Sequence, residues 1–326
     1  MLFRGKRGLI HWSILLITAI LLSGCTGLPF GKDKQPQTLG TFVGGTEGLE
    51  AAFATDEPPD AILDNGQEEF FITLLLQNKG EYTIPTGGVV ASLSGIVQSS
   101  WNLATLNVKN TFDIFGTSKQ GELVIPGAQE ELTFGTARFT PDLPGDTSFN
   151  LGVDVCYSYK TQTVSKICLQ KDVLQRERKS AVCSITNQAL GEETSGGPIH
   201  ATSFRQSSVG KNKVNVYFKI SNKGIGAVYE PGTFTTSCTG KDTEEHRVRV
   251  KVFSPENTFT IKCTQLGNTN TGVVKLVQNS KDITCSIETA GLQEVTFQDL
   301  LVVEMTYMYR EAIKTSIRVV DGGSSV

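Results

Sequence analysis

The chain has 326 residues, with 30 Lys and Arg against 33 Asp and Glu and a formal net charge of −3. No clustered basic face of the kind that neutralises phosphates is evident, so no nucleic-acid partner is expected. Gly, Thr, Ser and Val are plentiful and long charged blocks are absent, which describes an exported β-rich protein. Loss of an N-terminal leader would still leave about 300 residues, enough for two ordinary domains.

The first 25 residues carry the most specific motif. Arg4, Lys6 and Arg7 precede an apolar run from Leu9 to Leu22, and Leu22-Ser23-Gly24-Cys25 follows. The order is that of a secretory signal: basic start, short apolar stretch, small residues before the cut. The apolar run has about 14 residues, short of the roughly 20 that a spanning helix needs. Ser23 and Gly24 leave the backbone accessible to a peptidase, and the Cys25 thiolate is the nucleophile that would take a diacylglyceryl group. This segment resembles prokaryotic lipoprotein signals. The resemblance implies that residues 1–24 are removed and that Cys25 joins the protein to membrane lipid, facing the cell exterior or periplasm. Residues 25–40 have no apolar period and read as a tether.

Beyond the tether, short runs rich in Val, Ile, Thr, Phe and Tyr alternate with turn formers, the pattern of an all-β chain. Examples are Phe70-Phe71-Ile72-Thr73-Leu74-Leu75-Leu76 and Val214-Asn215-Val216-Tyr217-Phe218-Lys219-Ile220. An internal repeat is visible. A strand running into Asn-Lys-Gly occurs at Asn78-Lys79-Gly80 and again at Asn222-Lys223-Gly224. Thr86-Gly87-Gly88-Val89 then aligns with Pro231-Gly232-Thr233-Phe234, each read as the start of the next strand. Upstream, Gly48-Leu49 aligns with Pro198-Ile199. Downstream, Val155-Cys156-Tyr157-Ser158-Tyr159-Lys160 aligns with Met305-Thr306-Tyr307-Met308-Tyr309-Arg310. Each of these last segments precedes another strand-like run, so each is expected to form the closing hairpin of its unit. The expected boundaries are 41–172 for the first unit, 173–182 for a charged linker, and 183–322 for the second.

Two such units without helices fit tandem β-sandwiches. The Asn-x-Gly element after a strand resembles that of immunoglobulin-like surface modules of the cell-adhesion-related and archaeal S-layer type. Asn and Gly there are expected to accommodate positive φ. That resemblance implies tandem immunoglobulin-like β-sandwiches and a role in adhesion, envelope organisation or partner binding.

With Cys25 assigned to lipid, Cys156, Cys168, Cys183, Cys238, Cys263 and Cys285 remain, an even number that suggests disulfides in an exported protein. Cys156 and Cys168 are both missing from the second copy, where Thr306 and Arg318 stand. A Cys156–Cys168 bridge across the hairpin is therefore expected. Three connectivities stay open for the other four, with Cys263–Cys285 and Cys183–Cys238 preferred.

Chemistry is sparse. His200 and His246 have no Gly-x-Ser-x-Gly partner, so no enzyme activity is expected. No cofactor or metal is expected either. The acidic loop with Asp56, Glu57, Asp60, Asp64, Asn65 and Glu68 lacks EF-hand spacing and reads as a solvated loop. Arg247, Arg249 and Lys251 alternate with apolar residues, which places three cations on one strand face suited to an anionic polysaccharide or headgroup surface, or merely to solvent or a guarded edge. Trp101 is either a sugar platform or a core residue. The expected partners are membrane lipid through Cys25 and an envelope protein or polysaccharide. A carbohydrate-binding module would need exposed coplanar aromatics near Trp101 or at the closing-hairpin tyrosines, whereas an accessory lipoprotein of a secretion or surface-filament complex would need an open sheet edge.

Overall fold

The computed structural model describes residues 42–171, 183, 185, 189–292 and 296–323. The first half contributes β1 (Leu49–Phe53), β2 (Ala61–Leu63), β3 (Phe70–Asn78), β4 (Val89–Ser94) and β5 (Asn107–Lys109). It continues with β6 (Ser118–Gln120), β7 (Leu123–Ile125), β8 (Gln129–Ala137) and β9 (Thr147–Gln170). The second half contributes β10 (Glu192–Thr194), β11 (Ile199–Ser208), β12 (Lys213–Asn222), β13 (Ala227–Tyr229) and β14 (Arg247–Phe253). It ends with β15 (Ile261–Cys263), β16 (Thr271–Lys275), β17 (Ser280–Glu288) and β18 (Thr296–Val320). The only helical turn among the described residues is a 3₁₀ turn at Thr264–Leu266. The strands follow from period two: in β12, Val214, Val216, Phe218 and Ile220 are buried while Lys219 is exposed.

Two small sheets, β1-β3-β8 and β11-β12-β17-β15, each face part of a nine-stranded sheet whose main order is β16-β14-β18-β9-β4-β5. At one end Ile72, Leu74 and Leu76 of β3 share a core with Val89 and Ala91 of β4 and Val153 and Val155 of β9. At the other end Val216 and Phe218 of β12 share a core with Val248 and Val250 of β14 and Val303 of β18.

The expected closing hairpins do not form. Residues read as two strands and a turn are one 24-residue strand, β9, and its counterpart is the 25-residue β18. The two pair with each other antiparallel along their length, from Thr296↔Gln170 to Val319↔Thr147. The halves are therefore not separate tandem modules. They share one sheet, and residues 37–326 form one compact unit. The polar stretch Lys160-Thr161-Gln162-Thr163 looks like a turn in sequence. In the structure Thr161 and Thr163 are buried and satisfied, Thr161 Oγ1 at 2.6 Å from the Tyr307 hydroxyl and Thr163 Oγ1 at 2.9 Å from Thr194 Oγ1.

A single straight strand also overturns the expected Cys156–Cys168 bridge. Twelve residues at about 3.3 Å each place the two roughly 40 Å apart, beyond the reach of a disulfide, whose Cα atoms lie within ~7 Å. Cys156 instead pairs with Cys238 and Cys168 with Cys183, at Cα separations of 5.7 and 5.8 Å. The expected Cys183–Cys238 bridge is thus also replaced. Cys263–Cys285 is present, its residues opposed on β15 and β17.

Cys238 lies in a loop that explains the exchange. Phe234 does not begin a strand; β14 starts only at Arg247. The intervening residues of the second half lie over the first, where Cys238 N–H bonds Ser92 Oγ at 2.8 Å and Phe234 and Cys238 join a small core with Val90 and Cys156.

The centre of the shared sheet explains the repeated motif. Tyr157 and Tyr159 face Tyr309 and Tyr307 across the β9–β18 pair, all four fully buried, with ring centroids 5.7 to 6.2 Å apart. Tyr159 donates to Asn78 Oδ1 and Tyr309 to Asn222 Oδ1, both at 3.1 Å. Asn78 Nδ2 holds Tyr82 O at 2.7 Å and Asn222 Nδ2 holds Gly226 O at 2.9 Å. Leu49 pairs with Asn78 as Ile199 pairs with Asn222. The expectation of positive φ fails here, since none of these Asn and Gly residues has it. Gly is required for space: a Cβ on Gly80 would strike the Tyr159 hydroxyl, and one on Gly224 the Tyr309 hydroxyl.

Candidate functional site

The structure sorts the residues singled out in sequence. Cys25, the signal and tether at 1–40 and the linker at 173–182 lie outside the described residues. Trp101 is buried, edge-on to Phe70, Phe139 and Phe149 at 6.0, 5.4 and 5.5 Å, and is a core residue. With the four tyrosines also buried, neither place expected to offer a sugar platform has an exposed ring.

Arg247, Arg249 and Lys251 do share a face, opposite buried Val248, Val250 and Val252. They guard no edge, because β14 is flanked by β16 and β18. Arg247 lies 3.8 Å from Glu230, Lys251 sits 5.0 Å over the Phe253 ring, and Lys251 is opposite Glu304 in register. The row is a charged sheet face already partly neutralised. His200 Nε2 lies 2.8 and 3.1 Å from the Gly197 and Gly45 carbonyls, so it donates there and ties two turns together. Burial holds its pKa below the ordinary value, which keeps it a neutral donor.

The acidic loop does not gather as a group. Asp64 comes close instead to Asp142 and Asp321. Its two oxygens are occupied, by Leu143 N–H at 2.9 Å and Gly322 N–H at 3.0 Å, and these bonds lower its pKa. Asp64 pins two loops together.

The feature that remains open is an edge. On the side of β18 away from β9, residues 302–306 pair with β14, 308–310 with β13 and 318–320 with β2. Among the described residues no strand pairs with 311–317 on that side. Arg318 N–H points outward to Asp60 O at 2.9 Å. Backbone direction alternates along a strand, so Ala312, Lys314 and Ser316 also turn their N–H and C=O groups outward. All three are exposed.

A cleft of about 670 Å³ wraps the first half of this edge. Its floor is Arg310, Glu311, Ala312 and Ile313, one wall is Leu49, Glu50 and Ala51 of β1, and Ile225, 99% exposed, stands on the opposite rim. Among the described residues β1 pairs only with β3, so its own outer edge faces the same gap. Glu311 accepts from the Tyr157 hydroxyl at 3.1 Å, and burial raises its pKa, with Glu47 adding to the shift. The cleft offers backbone hydrogen-bonding groups and half-covered apolar side chains, which is what an added strand uses. Sequence reading missed the edge because it divided β18 into two strands. The signal was the unbroken alternation in Ile313, Thr315 and Ile317 against Ala312, Lys314 and Ser316.

No family model matches the chain, and no curated protein does. Among solved structures, a serine-rich repeat adhesion glycoprotein from Streptococcus agalactiae aligns over 88% of this chain and 100% of that one, at 9% identity and a TM-score of 0.16. A likeness at that level carries no argument about this chain.

Proposed function

We propose that this chain is a non-catalytic, lipid-anchored surface protein that holds a partner at the open edge of a fused pair of immunoglobulin-like sandwiches, in adhesion or envelope organisation. The single observation that supports the binding role is the unpaired stretch 311–317 beside the cleft. Three disulfides fit an oxidising compartment. Among the described residues no helix is long and apolar enough to cross a membrane, so attachment in this reading rests on Cys25. Acyl chains contribute about 0.8 kcal/mol per buried CH₂, and two or three of them give stable anchoring.

Of the alternatives, an accessory role in a secretion or surface-filament complex is favoured by the open edge. The carbohydrate-binding reading loses its support with the burial of Trp101 and the tyrosines. Fractionation tests the anchor: Cys25→Ser is expected to release the protein from membranes or block its processing. A variant that stays membrane-bound with unchanged lipid labelling would refute it.

A further inference from the structure

The second half has the same gap as the first, and there it is filled. Between β11 and β9, Ala189 bridges Arg205, Leu190 N–H bonds Phe204 O at 2.8 Å, and β10 pairs antiparallel with β9 through Glu192↔Ser165, Glu193↔Val164 and Thr194↔Thr163. The alignment that sets Tyr157 on Tyr307 and Leu49 on Ile199 sets Thr163, Val164 and Ser165 on Ile313, Lys314 and Thr315. It also sets β10 on Phe42, Val43 and Gly44. That segment turns elsewhere: Val43 and Gly44 give their N–H groups to the Glu81 carboxylate, at 2.9 and 3.0 Å. One of two equivalent strand positions is occupied from within the chain, and the other has no occupant among the described residues.

We propose that residues 311–317 of β18 receive an extended segment of a partner protein, laid antiparallel to β18 and acidic on its outer face. This rests on the partner-binding reading above and names the chemistry of that partner. The slot is about 23 Å long, seven residues at ~3.3 Å, closed at its ends by β13 and β2. Its outer face carries exposed Lys314 and Arg318, with half-buried Arg310 at one end. The residues opposite Ala312, Lys314, Ser316 and Arg318 on β9 are Asp154, Gly152, Asn150 and Ser148, a single carboxylate among them. The internal occupant of the equivalent slot sets Glu193 opposite Val164, the residue aligned with Lys314, while Glu192, on the other face, accepts from Ser203 N–H at 3.1 Å. On the inner face Ile313, Ala51 and Phe53 are only partly buried against the core, and alternate apolar residues of an added strand would cover them. A second copy is a poor occupant, because antiparallel self-pairing centred on the slot sets Lys314 against Lys314.

The probe is a capped peptide with the sequence of residues 189–195, Ala-Leu-Gly-Glu-Glu-Thr-Ser, added to the mature full chain in detergent. Amide exchange at Ala312, Lys314 and Ser316 is expected to be fast in the free protein and at least about tenfold slower with peptide. Lys314→Pro removes an N–H that has no partner among the described residues, so the fold is retained and the protection is lost. Lys314→Glu should reject this peptide and accept one with Lys at the position of Glu193. The proposal is overturned if the three amides are already protected in the free chain, which would mean that its own N-terminal segment or, in a sedimenting dimer, a second copy fills the slot. It is equally overturned if the peptide gives no protection or protects Lys314→Pro as well. None of these rates depends on Cys25, so failure here and failure of the anchor are separate results.

Discussion

At Asn78 and at Asn222 the chain makes the same contacts: a tyrosine hydroxyl from a long central strand, a backbone carbonyl four residues on, and the first residue of β1 or β11 opposite in register. A few ångströms outward the two halves part. The second half fills its strand gap with residues 189–195 and sends a long loop over its neighbour, while the described residues of the first half do neither. Where the repeats meet, each buried polar group must find its partner, and the solution is shared. Where each meets its surroundings the constraint is lifted, and the differences collect there.

Four experiments would break or sharpen that comparison. The largest effect is expected from Cys156→Ser with Cys238→Ser, which unfastens the loop that only the second half has. Loss of a bridge closing 82 residues should cost about 2–4 kcal/mol in denaturant unfolding. The next tests the shared centre. Gly224→Ala is expected to cost about 1–3 kcal/mol, and Tyr309→Phe in the same chain should recover part of it by removing the hydroxyl that the new methyl meets, leaving the Pro198 side chain, 2.8 Å from the added carbon, to shift. Gly80→Ala should resist the matching rescue by Tyr159→Phe, because backbone carbonyls of Gly196 and Glu47, 2.7 and 2.8 Å from the added carbon, also block the site. Equal rescue in both copies would show that the halves are more alike than these contacts imply.

Of similar or smaller size, Tyr159→Phe and Tyr309→Phe alone should each cost about 1–2 kcal/mol, since each hydroxyl donates to its Asn and also accepts a backbone N–H, from Tyr82 at 3.4 Å and from Gly226 at 2.9 Å. The smallest effect concerns Glu311, which has no acidic counterpart in β9, where Thr161 stands. Burial raises its folded pKa above the ordinary value of 4.5. Its favourable contribution is therefore present below that value and is lost as pH rises through the folded pKa. Glu311→Gln keeps an acceptor for Tyr157, so thermal scans should find it slightly more stable than the parent at neutral pH and no better below pH 4.5.

Much of the fold is legible in the residues. Alternation marks β12 and β14, a short apolar run marks β3, and the repeated Asn-Lys-Gly and Tyr-x-Tyr segments mark the duplication. Which strands pair is not legible. Period two places Tyr157 and Tyr159 on one face but says nothing of the partner strand, which lies in the other repeat. The unmatched cysteines mislead: both are gained by the first copy, yet each answers to a different neighbour, Cys238 on the second-half loop and Cys183 beyond the end of β9. Trp101 cannot be assigned by type alone, since a core and a sugar platform use the same side chain. The open edge needs the pairing of β18 to be known before it can be seen.

The open edge exists only if β9 and β18 lie side by side. Asn150 and Ser316 are exposed and opposed in that pairing, so their Cα atoms should be about 5 Å apart. Spin labels at Asn150→Cys and Ser316→Cys should therefore show strong dipolar broadening that each single label lacks. Spectra equal to the sum of the two single labels would mean that the halves are independent hairpin-closed modules, and would contradict the shared sheet.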